Sequence, residues 1–337
     1  MEIRVPTTAA RAKVGSMDGF ADRSPTFIQL DEPDAQAPRD ELLAGLQSRP
    51  ASIAPKFLYD ALGSRLFDAI TALEEYYPTR TEAAIVERHG AEIAAACAPG
   101  QTLVDLGAGN CAKAAKLFAT LKPPRYVAVD IAAAYLRDAL ERLQRAHPQI
   151  EMLGLGVDLS RSLRLPAEAG DGPRTVFFPG SSIGNFSPAA ACEFLRSCRA
   201  AARGGCLLIG VDLLKPRHIL EPAYDDALGV TAAFNLNLLR HVNALIGADF
   251  DVRQWRHVAR FDATRGCIEM RLAAREDVRV HWAGGERQFL AGEHIHTEDS
   301  FKYRRDDFAA LLRDAGFRQL HWWTDDREWF AVFVARG

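Results

Sequence analysis

A glycine turn between two apolar runs, with an acid closing the second run, could bind a nucleoside cofactor. The first run is Thr102-Leu103-Val104-Asp105-Leu106, and the turn is Gly107-Ala108-Gly109-Asn110. The second run, Tyr126-Val127-Ala128-Val129, ends on Asp130. Gly107 and Gly109 let the backbone approach a ligand, and an acid at the next strand end accepts ribose hydroxyls. Two details turn this away from a dinucleotide. The stretch from Gly107 to Ala112 lacks the third glycine of G-x-G-x-x-G. Asp105 stands two residues before the turn, where a diphosphate is repelled and a cationic ligand is welcome. A sulfonium cofactor, S-adenosylmethionine (SAM), has that charge logic, with S-adenosylhomocysteine as its product. A nicotinamide dehydrogenase and a plain structural turn are the competing readings.

Other residues could complete such a site. Lys113, in the first turn of the next helix, could meet a methionine carboxylate or simply be solvated. Asp158, at the end of a third apolar run, suits an adenine amino group or a helix cap. A fourth run ends in Gly180-Ser181-Ser182-Ile183-Gly184-Asn185. Asn185 offers a donor and an acceptor, which suits a zwitterionic head group, or it is a turn residue. In Thr297-Glu298-Asp299-Ser300, period two puts Glu298 and Ser300 on one face and Asp299 on the other. A carboxylate and a hydroxyl aimed into a pocket would suit ring N–H donors, and a solvated edge strand is the alternative. His294 and His296 lack the neighbours of a metal site, so no metal is expected. The six cysteines have no C-x-x-C spacing and read as free thiols.

These residues need a frame. Strands are expected at 102–106, 126–130, 151–157, 175–179 and 206–212. Helices are expected at 112–121, 132–146 and 189–202. That alternation gives a parallel sheet with right-handed crossovers. Earlier, 56–73 has helical spacing, and Thr79-x-x-Glu82 reads as a capping box opening a helix to about residue 96. After Asp212 come helices at 218–228 and 231–245 and short alternating strands from about 250 to 302. A helix at 305–315 and a hairpin of 317–323 with 329–334 close the chain. The fold class expected is α/β: a seven-stranded, Rossmann-like class I methyltransferase sheet with an inserted α+β substrate-binding domain. The expected divisions are a flexible segment at 1–37, a substrate-binding domain at 38–78 plus 214–302, and a SAM-binding domain at 79–213 plus 303–337.

Composition narrows the partners. A net charge of −3 with no basic stripe points away from nucleic acid and anionic membranes. No apolar run is long enough to span a bilayer, and the first residues lack a signal-peptide layout. A cytoplasmic monomer acting on a small molecule is expected.

Longer blocks carry a resemblance. Tyr59-Asp60-x-x-Gly63-Ser64, Glu75-Tyr76-Tyr77-Pro78-Thr79-Arg80-Thr81-Glu82, Gly184-Asn185 and Tyr224-Asp225-Asp226-x-x-Gly229-Val230-Thr231-x-x-Phe234-Asn235 occur in that order. Ile268-Glu269-Met270, Thr297-Glu298-x-Ser300 and His321-Trp322-Trp323-Thr324-Asp325 follow. Together they resemble the histidine-specific Nα-methyltransferases of ergothioneine biosynthesis, from about residue 50 to the C-terminus. The resemblance implies three SAM-dependent methylations of the α-amine of L-histidine, giving hercynine. It implies that Asn185 and Tyr224 hold the α-carboxylate and amine, with Tyr59 near the amine. It implies that Tyr76 meets the imidazole from one side, Glu298 and Ser300 bind its nitrogens from the other, and Met270 packs on the ring. The Gly-Ala-Gly-Asn-Cys-Ala turn departs from the family's Gly-Ser-Gly-Thr type.

Residue chemistry agrees with that implication. Methyl transfer from a sulfonium needs positioning and a neutral amine more than covalent help. An aromatic-walled pocket lowers the amine pKa by desolvation, and a tyrosine or water can take the proton. Two rivals remain. Relatives acting on other amino acids, such as tryptophan, would not want both Glu298 and Ser300. A non-catalytic SAM-fold binding protein would not need Gly107, Gly109, Asp130, Asn185 and Tyr224 all intact.

Overall fold

In the computed structural model, which describes residues 23–30, 36–159 and 163–337, the chain opens with β1 (Thr26–Gln29) and α1 (Gln36–Gln47). A two-residue strand, β2 (Ala51–Ser52), and helices α2 (Ala61–Thr71) and α3 (Tyr77–Cys97) follow. The α/β alternation then runs β3 (Thr102–Leu106), α4 (Ala112–Ala115), α5 (Phe118–Leu121), β4 (Arg125–Asp130), α6 (Ala133–Ala146) and β5 (Glu151–Gly156). It continues as β6 (Arg174–Phe178), α7 (Pro188–Ala202) and β7 (Cys206–Asp212). These strands are buried on both faces between helices, so they read as unbroken apolar runs.

The main sheet has the order β1-β5-β4-β3-β6-β7-β14-β13, the last two being β13 (Gln319–Thr324) and β14 (Phe330–Arg336). All neighbours are parallel except β14, which runs antiparallel to β7 and β13. The order reverses between β3 and β6, and a ligand crevice is expected at the carboxyl ends there.

This sheet has eight strands, not seven. The extra one, β1, falls in the segment expected to be flexible and pairs with β5, Thr26 opposite Leu153. It covers an edge that would otherwise expose unpaired backbone groups. Two glycines of β5 make room for it. A Cβ on Gly154 would stand 2.3 Å from the Phe27 ring, and one on Gly156 would stand 2.1 Å from the Gln29 side chain. Residues 1–22 and 31–35 of that segment lie outside the described residues.

A second unit lies between β7 and the closing helix α10 (Arg305–Asp314). It comprises α8 (Arg217–Leu220), α9 (Val230–Ile246), β8 (Trp255–Asp262), β9 (Cys267–Ala274), β10 (Val278–Trp282), β11 (Gly285–Phe289) and β12 (His294–Phe301). Strands β2, β12, β9 and β8 form one sheet in that order, and β10 pairs with β11. The segment before α3 contributes both β2 and core residues, with Leu46, Phe57 and Tyr76 packing in one cluster with Leu238 and Trp255. Among the described residues no helix is long and apolar enough to cross a membrane.

The capping box does not form. Helix α3 starts two residues before Thr79, with Pro78 in its first turn and no side-chain cap. Glu82 is buried and is used elsewhere.

Candidate active site

The glycine turn stands at the carboxyl end of β3. Gly107 and Gly109 have φ of 68° and 52°, a region that L side chains avoid. No atom lies within 4 Å of where a Cβ on either would stand, so both face open space. Asp130, ending β4, is locked by two backbone donors: Gly109 N–H to Oδ2 and Ala132 N–H to Oδ1, each 2.8 Å. Burial pushes its carboxyl above the usual range, and those N–H groups pull it partly back. Above the turn lies a cavity of about 260 Å³ lined by Gly107, Gly109, Asp130, Ile131, Val157, Asp158 and Phe178. Apolar walls with the carboxylates of Asp68, Asp130 and Asp158 among the lining fit an adenosine group.

Other residues at this end differ from expectation. Asp105 does not reach the cavity through its free charge: it is buried beneath the turn and accepts the Tyr126 hydroxyl at 2.7 Å. Burial pushes its carboxyl up to about 7. Lys113 pairs with Glu82 Oε2 at 2.8 Å, and Glu82 Oε1 accepts the Gly180 N–H at 2.8 Å. Glu82 thus ties the lysine to the loop after β6. Asp158 accepts from Lys56 Nζ at 2.7 Å, and Lys56 also pairs with Glu41. Cys111 is buried, its thiol pushed up to about 12, so it is no thiolate nucleophile. Among the described residues no group of three His, Cys, Asp or Glu could hold a metal ion, and His296 pairs with Asp299 at 3.0 Å.

A second, smaller cavity of about 50 Å³ adjoins the first, lined by Tyr59, Phe67, Tyr76, Asn185, Tyr224, Met270, Glu298 and Ser300 among others. Tyr59, Phe67, Ser182 and Asn185 line both. The sequence blocks explain how each wall is held. Asp60 caps α2 by accepting from Gly63 N–H at 2.7 Å, and a Cβ on Gly63 would collide with the Leu58 carbonyl at 1.8 Å. That fixes Tyr59 beside Phe67 and Phe234, with ring centroids 5.6 Å apart in each pair. Asp226 caps α9 through Val230 and Thr231 N–H groups, which sets the turn bearing Tyr224. His257 holds the Tyr224 carbonyl at 2.8 Å, its other ring nitrogen meeting Asn235. A Cβ on Gly184 would lie 2.8 Å from the Phe301 carbonyl, so only glycine lets the Asn185 loop sit against β12.

Strand β12 carries Glu298 and Ser300 inward. The alternation holds across a bulge between His296 and Glu298, and Asp299 turns away to pair with Arg265. Asn185 Nδ2 donates to Glu298 Oε2 at 3.3 Å, and Tyr224 and Ser300 hydroxyls meet at 2.8 Å. Desolvation pushes the Glu298 carboxyl up to about 7, with Lys302 pulling it down and Asp299 pushing it up. Burial, and the negative charge of Glu298, hold the Tyr59 phenol well above its usual value.

Behind this wall is a buried ionic cluster that sequence reasoning missed. Asp212, at the end of β7, meets Lys215 at 2.6 Å and Lys302 at 2.8 Å. The Tyr77 hydroxyl donates to Asp212 at 2.8 Å and accepts from Lys215 at 2.9 Å. Lys302 also donates to Tyr224 at 2.7 Å and Ser300 at 2.8 Å. Tyr77 lies within a recognisable block, but nothing in the sequence singles out Lys302 or Lys215.

Known proteins show a matching pattern. A family model described as "Histidine-specific methyltransferase, SAM-dependent" matches residues 38–337. A histidine N-alpha-methyltransferase of Mycolicibacterium smegmatis is 43% identical over 309 residues, covering 89% of this chain and 95% of that protein. One from Mycobacterium tuberculosis is 40% identical over 305 residues, covering 88% and 94%. Ergothioneine biosynthesis protein 1 of Neurospora crassa is 31% identical over 302 residues, which is 86% of this chain and 33% of that longer protein.

Proposed function

The chain belongs to the SAM-dependent, histidine-specific methyltransferases, and from that premise we propose that it moves three methyl groups from SAM to the α-amine of L-histidine, making hercynine for ergothioneine biosynthesis. The observation that carries this reading is the wall of Tyr59, Phe67, Ser182 and Asn185 shared by the two cavities. Because the two cavities adjoin along these residues, a methyl donor in one and an amine in the other would face each other there.

The cofactor half is 79–213 with 303–337, and the substrate half is 38–78 with 214–302. Gly107 and Gly109 bring the backbone to the nucleoside, Asp130 takes the ribose hydroxyls and Asp158 the adenine amino group. Lys113 takes the methionine carboxylate, for which it exchanges or shares its Glu82 partner. Bound SAM supplies an electrophilic methyl group on a sulfonium, open to in-line attack.

The remaining work is positioning. Asn185 and Tyr224 hold the α-carboxylate and amine of histidine. Tyr59 stands beside the amine and, with its phenol kept neutral by burial, orders the lone pair or a water that carries the proton away. Tyr76, Met270, Glu298 and Ser300 enclose the imidazole. The Asn185 amide occupies one oxygen of Glu298, so the other is left for a ring N–H. A carboxylate beside the amine would keep it charged, and this arrangement turns Glu298 toward the ring. The aromatic walls exclude water, which favours the neutral amine.

The test is mass spectrometry of the purified protein with SAM and an equimolar mixture of the twenty amino acids. Histidine gaining three methyl groups supports the proposal. Methylation of another amino acid in its place overturns the substrate, and the Glu298 and Ser300 roles with it.

A further inference from the structure

Lys302 is entirely buried, yet it does not line the cavity; it stands behind the wall that Tyr224 and Ser300 form. All three of its N–H bonds are committed: to Asp212 Oδ2 at 2.8 Å, the Tyr224 hydroxyl at 2.7 Å and the Ser300 hydroxyl at 2.8 Å. Burial alone would weaken the ammonium's hold on its proton. Asp212 and the Tyr224 oxygen more than offset that, holding it above the usual lysine range.

The consequence follows from counting hydrogens. An ammonium cannot accept, so Tyr224 and Ser300 must each turn a lone pair to Lys302. Each hydroxyl keeps one hydrogen. The 2.8 Å contact between them uses one of those two. The other has no acceptor among the described residues and is left for the cavity. With Tyr224 donating to Ser300, the hydrogen left over is that of Ser300, and it offers the imidazole a donor while the Tyr224 oxygen stays with the amine. Glu298, two residues earlier on the same strand face and lining the same cavity, offers an acceptor. One donor beside one acceptor matches a neutral imidazole, which has one bare nitrogen and one N–H. An imidazolium has two N–H groups and a charge that Lys302 would oppose through a single hydroxyl.

We propose that Lys302 is a positioning residue that fixes the Tyr224–Ser300 pair as a hydrogen-bond donor, so that the site takes the histidine side chain as a neutral imidazole in one tautomer. The inference rests on the substrate reading above and deepens it: specificity resides not in Glu298 and Ser300 alone but in the lysine that sets the polarity of the second. Rings with an N–H and no second nitrogen leave that donor unpaired and are rejected.

The direct test is 15N NMR of ring-labelled histidine bound to the wild-type enzyme with S-adenosylhomocysteine at about pH 7.5, where Glu298 is ionised and can accept. One protonated and one bare nitrogen is the expected spectrum. Two protonated nitrogens overturn the inference. The variant Lys302→Met leaves the Asp212–Lys215 pair intact, so no lone charge is buried. It should weaken histidine binding about tenfold or more, change S-adenosylhomocysteine binding less than about twofold, and let the bound ring keep its second proton. Its effect should largely vanish in a Ser300→Ala background, because the two act as a unit. Unchanged histidine binding in Lys302→Met, or full additivity with Ser300→Ala, overturns the inference. If Lys302→Met does not fold, the wild-type spectrum decides alone. A wild-type enzyme that binds S-adenosylhomocysteine but no histidine overturns the substrate reading itself, a result distinct from a bound imidazolium.

Discussion

Asn185 and Glu298, 113 residues apart in the chain, meet at 3.3 Å, with the amide nitrogen donating to Oε2. The contact joins two segments that line the inner cavity, the loop after β6 and strand β12. It satisfies half of a buried carboxylate and leaves the other half in want of a donor.

Replacing that carboxylate therefore strikes substrate recognition before cofactor binding. Glu298→Ala should raise the KM for histidine by about 100-fold or more, since a site built around a ring N–H loses its partner. The KM for SAM should move less than about threefold. Steady-state kinetics with each substrate varied in turn checks this, and equal effects on both would remove Glu298 from its assigned role.

The same carboxyl makes activity and stability respond to pH in opposite senses. Its folded value of about 7 lies above the usual 4.5, so the free fold binds this proton more tightly than the unfolded chain does. That contribution is complete below about pH 4.5 and is lost as pH rises through about 7. Glu298→Gln should thus be more stable than wild type at pH 8, by roughly 2–3 kcal/mol, and nearly equal to it at pH 5. Wild-type kcat/KM for histidine should fall as pH drops through about 7, because a protonated Glu298 no longer accepts, and Glu298→Gln should lose that limb along with most activity. Urea denaturation at the two pH values and a pH–rate profile read both effects.

Asp130 has a double duty, holding the turn and lining the cavity proposed for the cofactor. Asp130→Ala frees the Gly109 and Ala132 N–H groups and removes that carboxylate. The expected loss is about 10- to 100-fold in SAM affinity, measured by calorimetry. Normal SAM affinity in this variant would show that the cofactor acid is elsewhere.

The buried cluster predicts a stability effect of its own. Asp212 carries the negative charge for both Lys215 and Lys302, each of them almost wholly out of solvent. Asp212→Ala would leave two ammonium groups uncompensated and should cost about 3–5 kcal/mol in chemical denaturation. A loss under about 1 kcal/mol would mean that water reaches the cluster.

Much of the frame was legible because its physics is local. Doubly buried strands are apolar throughout, glycine turns need positive φ, and alternation sent Glu298 and Ser300 to one face despite the bulge at Thr297. What failed was nonlocal. Glu82 matched a capping box by spacing, but its actual partners, Lys113 and Gly180, come from other elements. Strand β1 had too short a pattern to notice, although Gly154 and Gly156 inside β5 were a trace of a close neighbour. Lys302 and Lys215 gave no signal, since nothing in a lysine's sequence context tells that Asp212 will meet it in the core.

Strand pairing also sets an order on synthesis. The strand that bears Glu298 and Ser300 is flanked on one side by β2, Ala51 opposite Ile295, and β7 finds its second neighbour only when β14 arrives, Cys206 opposite Arg336. A nascent chain therefore carries β2 long before β12 exists, and the wholly buried β7 keeps a bare edge until β14 has been made. The lining of the inner cavity is complete once β12 has been made, whereas the sheet gains its last two strands only later. The growing polypeptide must be kept from pairing that edge with its neighbours on the polysome until β14 is free to fold back.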